Sequence, residues 1–180
     1  EQLDEISVYA KGLKQTLERH GLSVKFDNRD MHKPGFKFAE YELKGVPVRI
    51  AIGPKDMESN TLEIVRRDTL EKMNIDQSEA ENEVLRLLDE IQNNIYQKAL
   101  EHRNRNTQTV DSYDGFKAII DGEGGFISAH WDGTSETEEL IKQETKATIR
   151  CIPLNNVQEP GVCIRSGKPS NQRVIFAKAY

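Results

Sequence analysis

Residues 46–75, "VPVRIAIGPKDMESNTLEIVRRDTLEKMNI", decide how this chain folds. In "VPVRIAIG" (46–53) the apolar side chains Val46, Val48, Ile50 and Ile52 fall on every second position. A strand turns such residues to one face, which leaves Arg49 and Ala51 on the other. "TLEIVRRD" (61–68) reads as a second strand, and "LEKMNI" as a short third one after a turn near Asp68. Upstream, Leu3, Ile6, Ala10, Leu13 and Leu17 recur at helical spacing, and Gly21 follows where a helix would stop on a left-handed residue. "SVKFD" (23–27) alternates like a half-buried strand, and a short helix over 36–44 ends at Gly45. Strands and helices in this order close on one sheet, which predicts an α/β layer.

Downstream, Ser78 with Glu81 has the form of a capping box ahead of Val84, Leu88, Ile91 and Ile95, a helix expected to run past residue 100. "HRNRNTQT" (102–109) is polar and aperiodic, which places a domain boundary there and predicts domains over 1–105 and 106–180. The second should be a small α+β unit. It reads as a short helix with Phe116 and Ile119, strand "FISAHW", helix "ETEELIKQETK", strand "TIRCIPL", and a last strand "RVIFAKAY".

At 180 residues, 36% hydrophobic and 31% charged, the chain can bury a core. No apolar run approaches bilayer length and no signal-peptide segment opens the sequence, so the expectation is a cytoplasmic protein without membrane contact. Cys151 and Cys163 do not make a disulfide framework. A net charge of −5 speaks against nonspecific coating of nucleic acid, yet allows a locally basic face.

No nucleophile and base stand out, and the four histidines lie in polar contexts. "SGKP" fails as a phosphate loop, because five residues separate Gly161 from Gly167 and Pro169 follows the lysine. Residues 27–56 are more informative. They mix Arg29, Lys33, Lys37, Arg49 and Lys55 with Phe36, Phe38 and Tyr41, and with the acids Asp27, Asp30, Glu40 and Glu42. Such a set can read unstacked bases, cations taking phosphates or purine edges and carboxylates accepting from base amino groups. The plainer alternative is a sheet edge carrying solvated ion pairs, which are commonplace on surfaces.

"PGFKF", "ELKGVP", "IGPKD" and "RRDT", in that order and spacing, resemble the anticodon-binding domain of class II prolyl-tRNA synthetases of the archaeal and eukaryotic type. The ending, "ETKATIRCIPL" then "GVCIRSGKPSNQRVIFAKAY", resembles that type's extra C-terminal domain, which finishes on a tyrosine. The resemblance implies a mixed-sheet anticodon-binding domain with flanking helices, followed by the small C-terminal domain. It implies proline attachment to tRNA(Pro) using ATP and magnesium, in an enzyme whose catalytic domain lies outside this chain. The chain alone is therefore expected to be inactive. Implied partners are tRNA(Pro), the catalytic domain of the same polypeptide and, in the whole enzyme, a second copy in a homodimer.

The resemblance also implies which residues matter. Glu42, Arg49, Lys55 and Lys72 fall at positions expected to read the two invariant guanines of the proline anticodon, with Glu42 on a Watson–Crick edge; Arg66 and Arg67 are secondary candidates. The carboxyl group of Tyr180 would return toward the active site. Zinc-binding members carry cysteines in "WCGxxxCEE" and "CIxCGK", whereas this chain has Asp132, Thr137, Cys163 and Ser166 at those four positions. One carboxylate and one thiol beside two hydroxyls are a poor zinc set, so a metal-free turn is expected. A free-standing RNA-binding regulator built on the same domain would carry the same residues.

Overall fold

The computed structural model describes residues 2–179 and divides into two compact units, Glu1–Lys98 and Ala99–Tyr180. The expected boundary at 105/106 falls at the C-terminal end of a 26-residue helix that runs through the division. The chain has a mixed α/β fold.

In the N-terminal unit the decisive stretch forms an antiparallel meander of β1 (Val48–Ala51), β2 (Thr61–Arg66) and β3 (Lys72–Asp76). Leu62 and Ile64 of β2 are fully buried, joining Leu17 of α1 (Gln2–Arg19) and Ala80, Val84, Leu87 and Ile91 of α4 (Ala80–Arg105) in one core. Val48, Ile50, Met73 and Ile75 pack against that core, so the alternation read from the sequence settles which face is inside. The opposite face carries α2 (Pro34–Leu43), which begins with Pro34 in the first turn, where a missing N–H costs nothing.

Two local expectations change, and a connection the sequence left unread proves helical. Residues 22–29 form no strand, because no neighbouring strand pairs with them; Leu22 and Val24 still pack on the core. The segment between β1 and β2 is a one-and-a-half-turn helix, α3 (Pro54–Ser59). Its start is held by the Asp56 carboxylate accepting from Gly53 N–H at 2.7 Å, and its end is the left-handed Asn60. The Ser78–Glu81 capping box does not form. Asp76 accepts instead from the Ser78 N–H and hydroxyl at 2.8 and 2.6 Å, capping a 3-10 turn that leads into α4, while Glu81 meets His20 at 2.5 Å.

The C-terminal unit is built on a four-stranded mixed sheet in the order β4 (Thr107–Thr109), β5 (Phe126–His130), β9 (Arg173–Lys178), β6 (Ala147–Cys151). Only β4 and β5 run parallel. Phe176 on β9 is completely buried and meets Phe116 of α5 (Tyr113–Asp121) edge to face at 5.3 Å. Ile141 of α6 (Ser135–Thr145) closes the same core. The two-residue strands β7 (Gly161–Val162) and β8 (Pro169–Ser170) flank the turn that holds Cys163 and Ser166. Gly161 lies against the buried His130 ring, where a Cβ would come within 2.2 Å of Nε2, so no side chain fits there. Among the described residues no helix is long and apolar enough to cross a membrane.

Candidate nucleic-acid interface

The sheet register aligns two of the predicted cations, Arg49 and Lys72. Arg49 pairs with Val65 and Val65 with Lys72, so all three stand in one row across the sheet face that α2 partly covers. Two strand spacings separate the row's ends, about 10 Å. The next row on that face is Ala51, Glu63 and Asn74.

Arg49 is held flat. Its guanidinium lies 3.6 Å from the centre of the Phe38 ring, which α2 lays over the strand, an attractive cation–π geometry. Phe38, Tyr41, Glu42, Val46, Arg49, Val65 and Arg67 enclose a cavity of about 10 Å³, enough for one water. Glu42 is half-buried, and its carbonyl accepts from Arg67 Nε at 2.8 Å, tying α2 to the end of β2. Lys72 is exposed. Lys55 is an exposed residue of the β1–β2 crossover and makes no ion pair among the described residues.

Arg66 goes elsewhere. Its register partner is Val48, a core-side residue, and its guanidinium grips both Asp68 oxygens at 3.0 and 2.9 Å and Glu90 of α4 at 3.1 Å. The Arg66 guanidinium holds the Asp68 carboxyl at about 2, below its ordinary range. With 12% of its side chain exposed, Arg66 is an ion pair of the core rim and not an open cation. Nor is Arg29 free. It bonds Asp27 and Glu40, and hydrogen bonds from Arg29 and Lys44 hold the Glu40 carboxyl at about 2. Lys37 lies 3.7 Å from Asp27. Much of the charge in residues 27–44 is thus internally paired; on the sheet face Arg49 is mostly buried beside Glu63, while Lys72 is exposed and makes no ion pair among the described residues.

Sequence reading missed Glu63, whose carboxylate lies 3.6 Å from Arg49 Nη1. The available signal was its spacing of two from Val65, which puts it on the Arg49 side of β2. Tyr180 lies outside the described residues.

In the C-terminal unit, three of the four degenerate zinc positions meet one another. Asp132 Oδ2 accepts from the hydroxyls of Thr137 at 2.9 Å and Ser166 at 2.6 Å, and Oδ1 accepts from the Thr134 N–H and hydroxyl at 3.1 and 2.8 Å. Burial pushes the Asp132 carboxyl up, but hydrogen bonds from Ser166, Thr134 and Thr137 outweigh it and hold it at about 2. Cys163 is buried, and its carbonyl accepts from Gly167 N–H at 3.0 Å in the same turn. Two of the four positions are neutral hydroxyls already donating to the carboxylate, so the set does not fit the thiolate and imidazole donors that structural zinc takes. Among the described residues no three His, Cys, Asp or Glu side chains group to hold a metal ion.

Residues 2–87 match the family model "Anticodon binding domain", and residues 113–180 match "Prolyl-tRNA synthetase, C-terminal". Over its whole length the chain is similar to the proline–tRNA ligases of Porphyromonas gingivalis (61% identical), Cytophaga hutchinsonii (56%) and Christiangramia forsetii (54%). All of the chain is covered, against 36% of the first relative and 37% of the other two, so the chain spans little more than a third of their length.

Proposed function

We propose that this chain, which belongs to the prolyl-tRNA synthetase family through an anticodon-binding domain and a C-terminal domain, reads the proline anticodon for an enzyme joining L-proline to tRNA(Pro) with ATP. The observation that carries the reading is the row of Arg49 and Lys72 beside Glu42, on a face whose other cations are mostly paired internally. Guanine offers N7 and O6 to Arg or Lys, and its N1–H and N2–H₂ donate to a carboxylate. Bases in a single-stranded loop present those edges freely. Glu42, Arg49, Lys55 and Lys72 are the readers, and Arg67 supports Glu42 through its carbonyl.

The same reading covers the whole enzyme. Catalysis, ATP and magnesium belong to a catalytic domain that this chain does not include, so the chain alone is inactive. The domains divide at 105/106, the enzyme is a cytoplasmic homodimer, and the Tyr180 carboxyl group returns to the active site. The archaeal and eukaryotic type is proposed from the C-terminal domain that follows the anticodon-binding domain. It is a statement about architecture, since the relatives named above are bacterial. Zinc has no place in the Asp132 turn.

In the full-length enzyme, Glu42→Ala is expected to lower kcat/KM for tRNA(Pro) charging by about 1–3 kcal/mol. Proline-dependent ATP–pyrophosphate exchange should stay near wild type. An equal fall in both would refute base reading by Glu42.

A further inference from the structure

Two guanines need two carboxylates if each is read on its Watson–Crick edge, and Glu42 supplies one. We propose that Glu63 supplies the second, forming with Arg49 a two-sided reader of one anticodon guanine; this rests on the anticodon reading above. On the core side of the same sheet Arg66 closes on Asp68 at 2.9 and 3.0 Å. Arg49 and Glu63 do not close. They stand 3.6 Å apart, Arg49 Nη1 is buried without a hydrogen-bond acceptor, and Glu63 makes no side-chain hydrogen bond among the described residues.

A buried donor without an acceptor and a solvent-facing carboxylate without a donor therefore sit side by side, and a base edge would meet Glu63 and the exposed part of the Arg49 guanidinium. The Phe38 ring 3.6 Å from the guanidinium and the Glu63 carboxylate 3.6 Å from Nη1 both favour its place against the sheet face. Glu63 keeps 32% of its side chain exposed, against 15% for Arg49, so the carboxylate remains reachable from solution. Its row neighbour is the exposed Asn74, which leaves the approach open. A cation next to a carboxylate matches guanine, whose O6 accepts beside the N1–H and N2–H₂ donors. Adenine presents a donor at the O6 position and a lone pair at N1, so both members of the pair would be mismatched.

The test uses the full-length enzyme and tRNA(Pro) transcripts in which each anticodon guanine is replaced singly by inosine, which lacks only the N2 amino group. Wild-type enzyme should lose about 5- to 100-fold in charging kcat/KM on either replacement. Glu63→Gln and Glu63→Ala should charge the all-guanine tRNA less well by a similar factor and become indifferent to inosine at one position, while still discriminating at the other. Pyrophosphate exchange and thermal unfolding should be unchanged, which a merely structural role would not allow for Glu63→Ala. If wild type discriminates at both positions and the Glu63 variants do so undiminished, the assignment of Glu63 is wrong and the anticodon reading stands. If wild type is indifferent at both positions, the anticodon reading itself fails.

Discussion

Phe176→Ala is expected to destabilise the C-terminal unit by about 3–5 kcal/mol, the usual cost of emptying a buried aromatic site. Phe176 is fully buried on the strand that pairs with both β5 and β6, opposite Ile127 on one side and Ile149 on the other. Its ring also meets Phe116 edge to face at 5.3 Å, a contact that alanine cannot make. Backbone-paired strands flank the gap on both sides, which limits how far the core can relax into it. A domain's net stability is about 5–15 kcal/mol, so this change removes a large part of it. The molecule supplies its own probe: Trp131, the single tryptophan, packs against this core. Denaturant unfolding followed by its fluorescence should show the midpoint falling sharply. Phe36→Ala is the contrast, since that ring is 54% exposed, and its effect should stay within about 0.5 kcal/mol. A Phe176→Ala midpoint as high as that of Phe36→Ala would mean that β9 is not the centre of the core.

The same contrast explains what the sequence could reveal. β1 and β2 were readable because a strand with one buried face writes its pattern at period two, and Ile50, Leu62 and Ile64 obey it. The period fails at residues 23–27, where alternation marks an extended segment but cannot say whether a partner strand exists. α3 was hidden because six residues are too few to show helical periodicity, and its cap is a carboxylate three residues inside rather than the usual residue before the helix. At the candidate site, residue types were legible and their grouping was not. Arg49, Val65 and Lys72 align only through a register set by the α3 connection between β1 and β2 and the turn between β2 and β3. Arg66 and Arg67 are adjacent and so point to opposite faces of the strand end, which sends one to Asp68 and Glu90 and the other to the Glu42 carbonyl. The face of Glu63 could be read from its spacing to Val65, but its closeness to Arg49 could not, since Arg49 is diagonal across a strand pair and distant in sequence.

Asp132→Ala should cost the C-terminal unit about 2–4 kcal/mol, because the carboxylate accepts four hydrogen bonds, and bonds to a charged acceptor are each worth about 1.5–3 before water takes their place. Those bonds tie the start of α6 to the β7–β8 turn, joining segments 34 residues apart between Asp132 and Ser166. Thr137, 4% exposed, would keep only the Thr134 hydroxyl at 3.0 Å as partner, whereas exposed Ser166 can turn to water. Asp132→Asn should cost less, since one carbonyl oxygen remains. The pH dependence follows from the low folded-state value of about 2 against 3.8 for an ordinary aspartate. A carboxyl depressed by folding contributes its full stabilisation above the unfolded value and loses it as pH falls through the folded one. The Asp132 contribution is therefore complete above about pH 4 and fades between pH 4 and 2. Unfolding midpoints followed by Trp131 fluorescence should drop across that window in wild type, and the drop should be smaller in Asp132→Asn. With Asp132 filling by hydrogen bonds the position a thiolate would take on a metal, chelators should leave the wild-type midpoint unchanged. A midpoint that falls on chelation, or one zinc per chain in purified full-length protein, would show that the turn depends on an ion and not on Asp132.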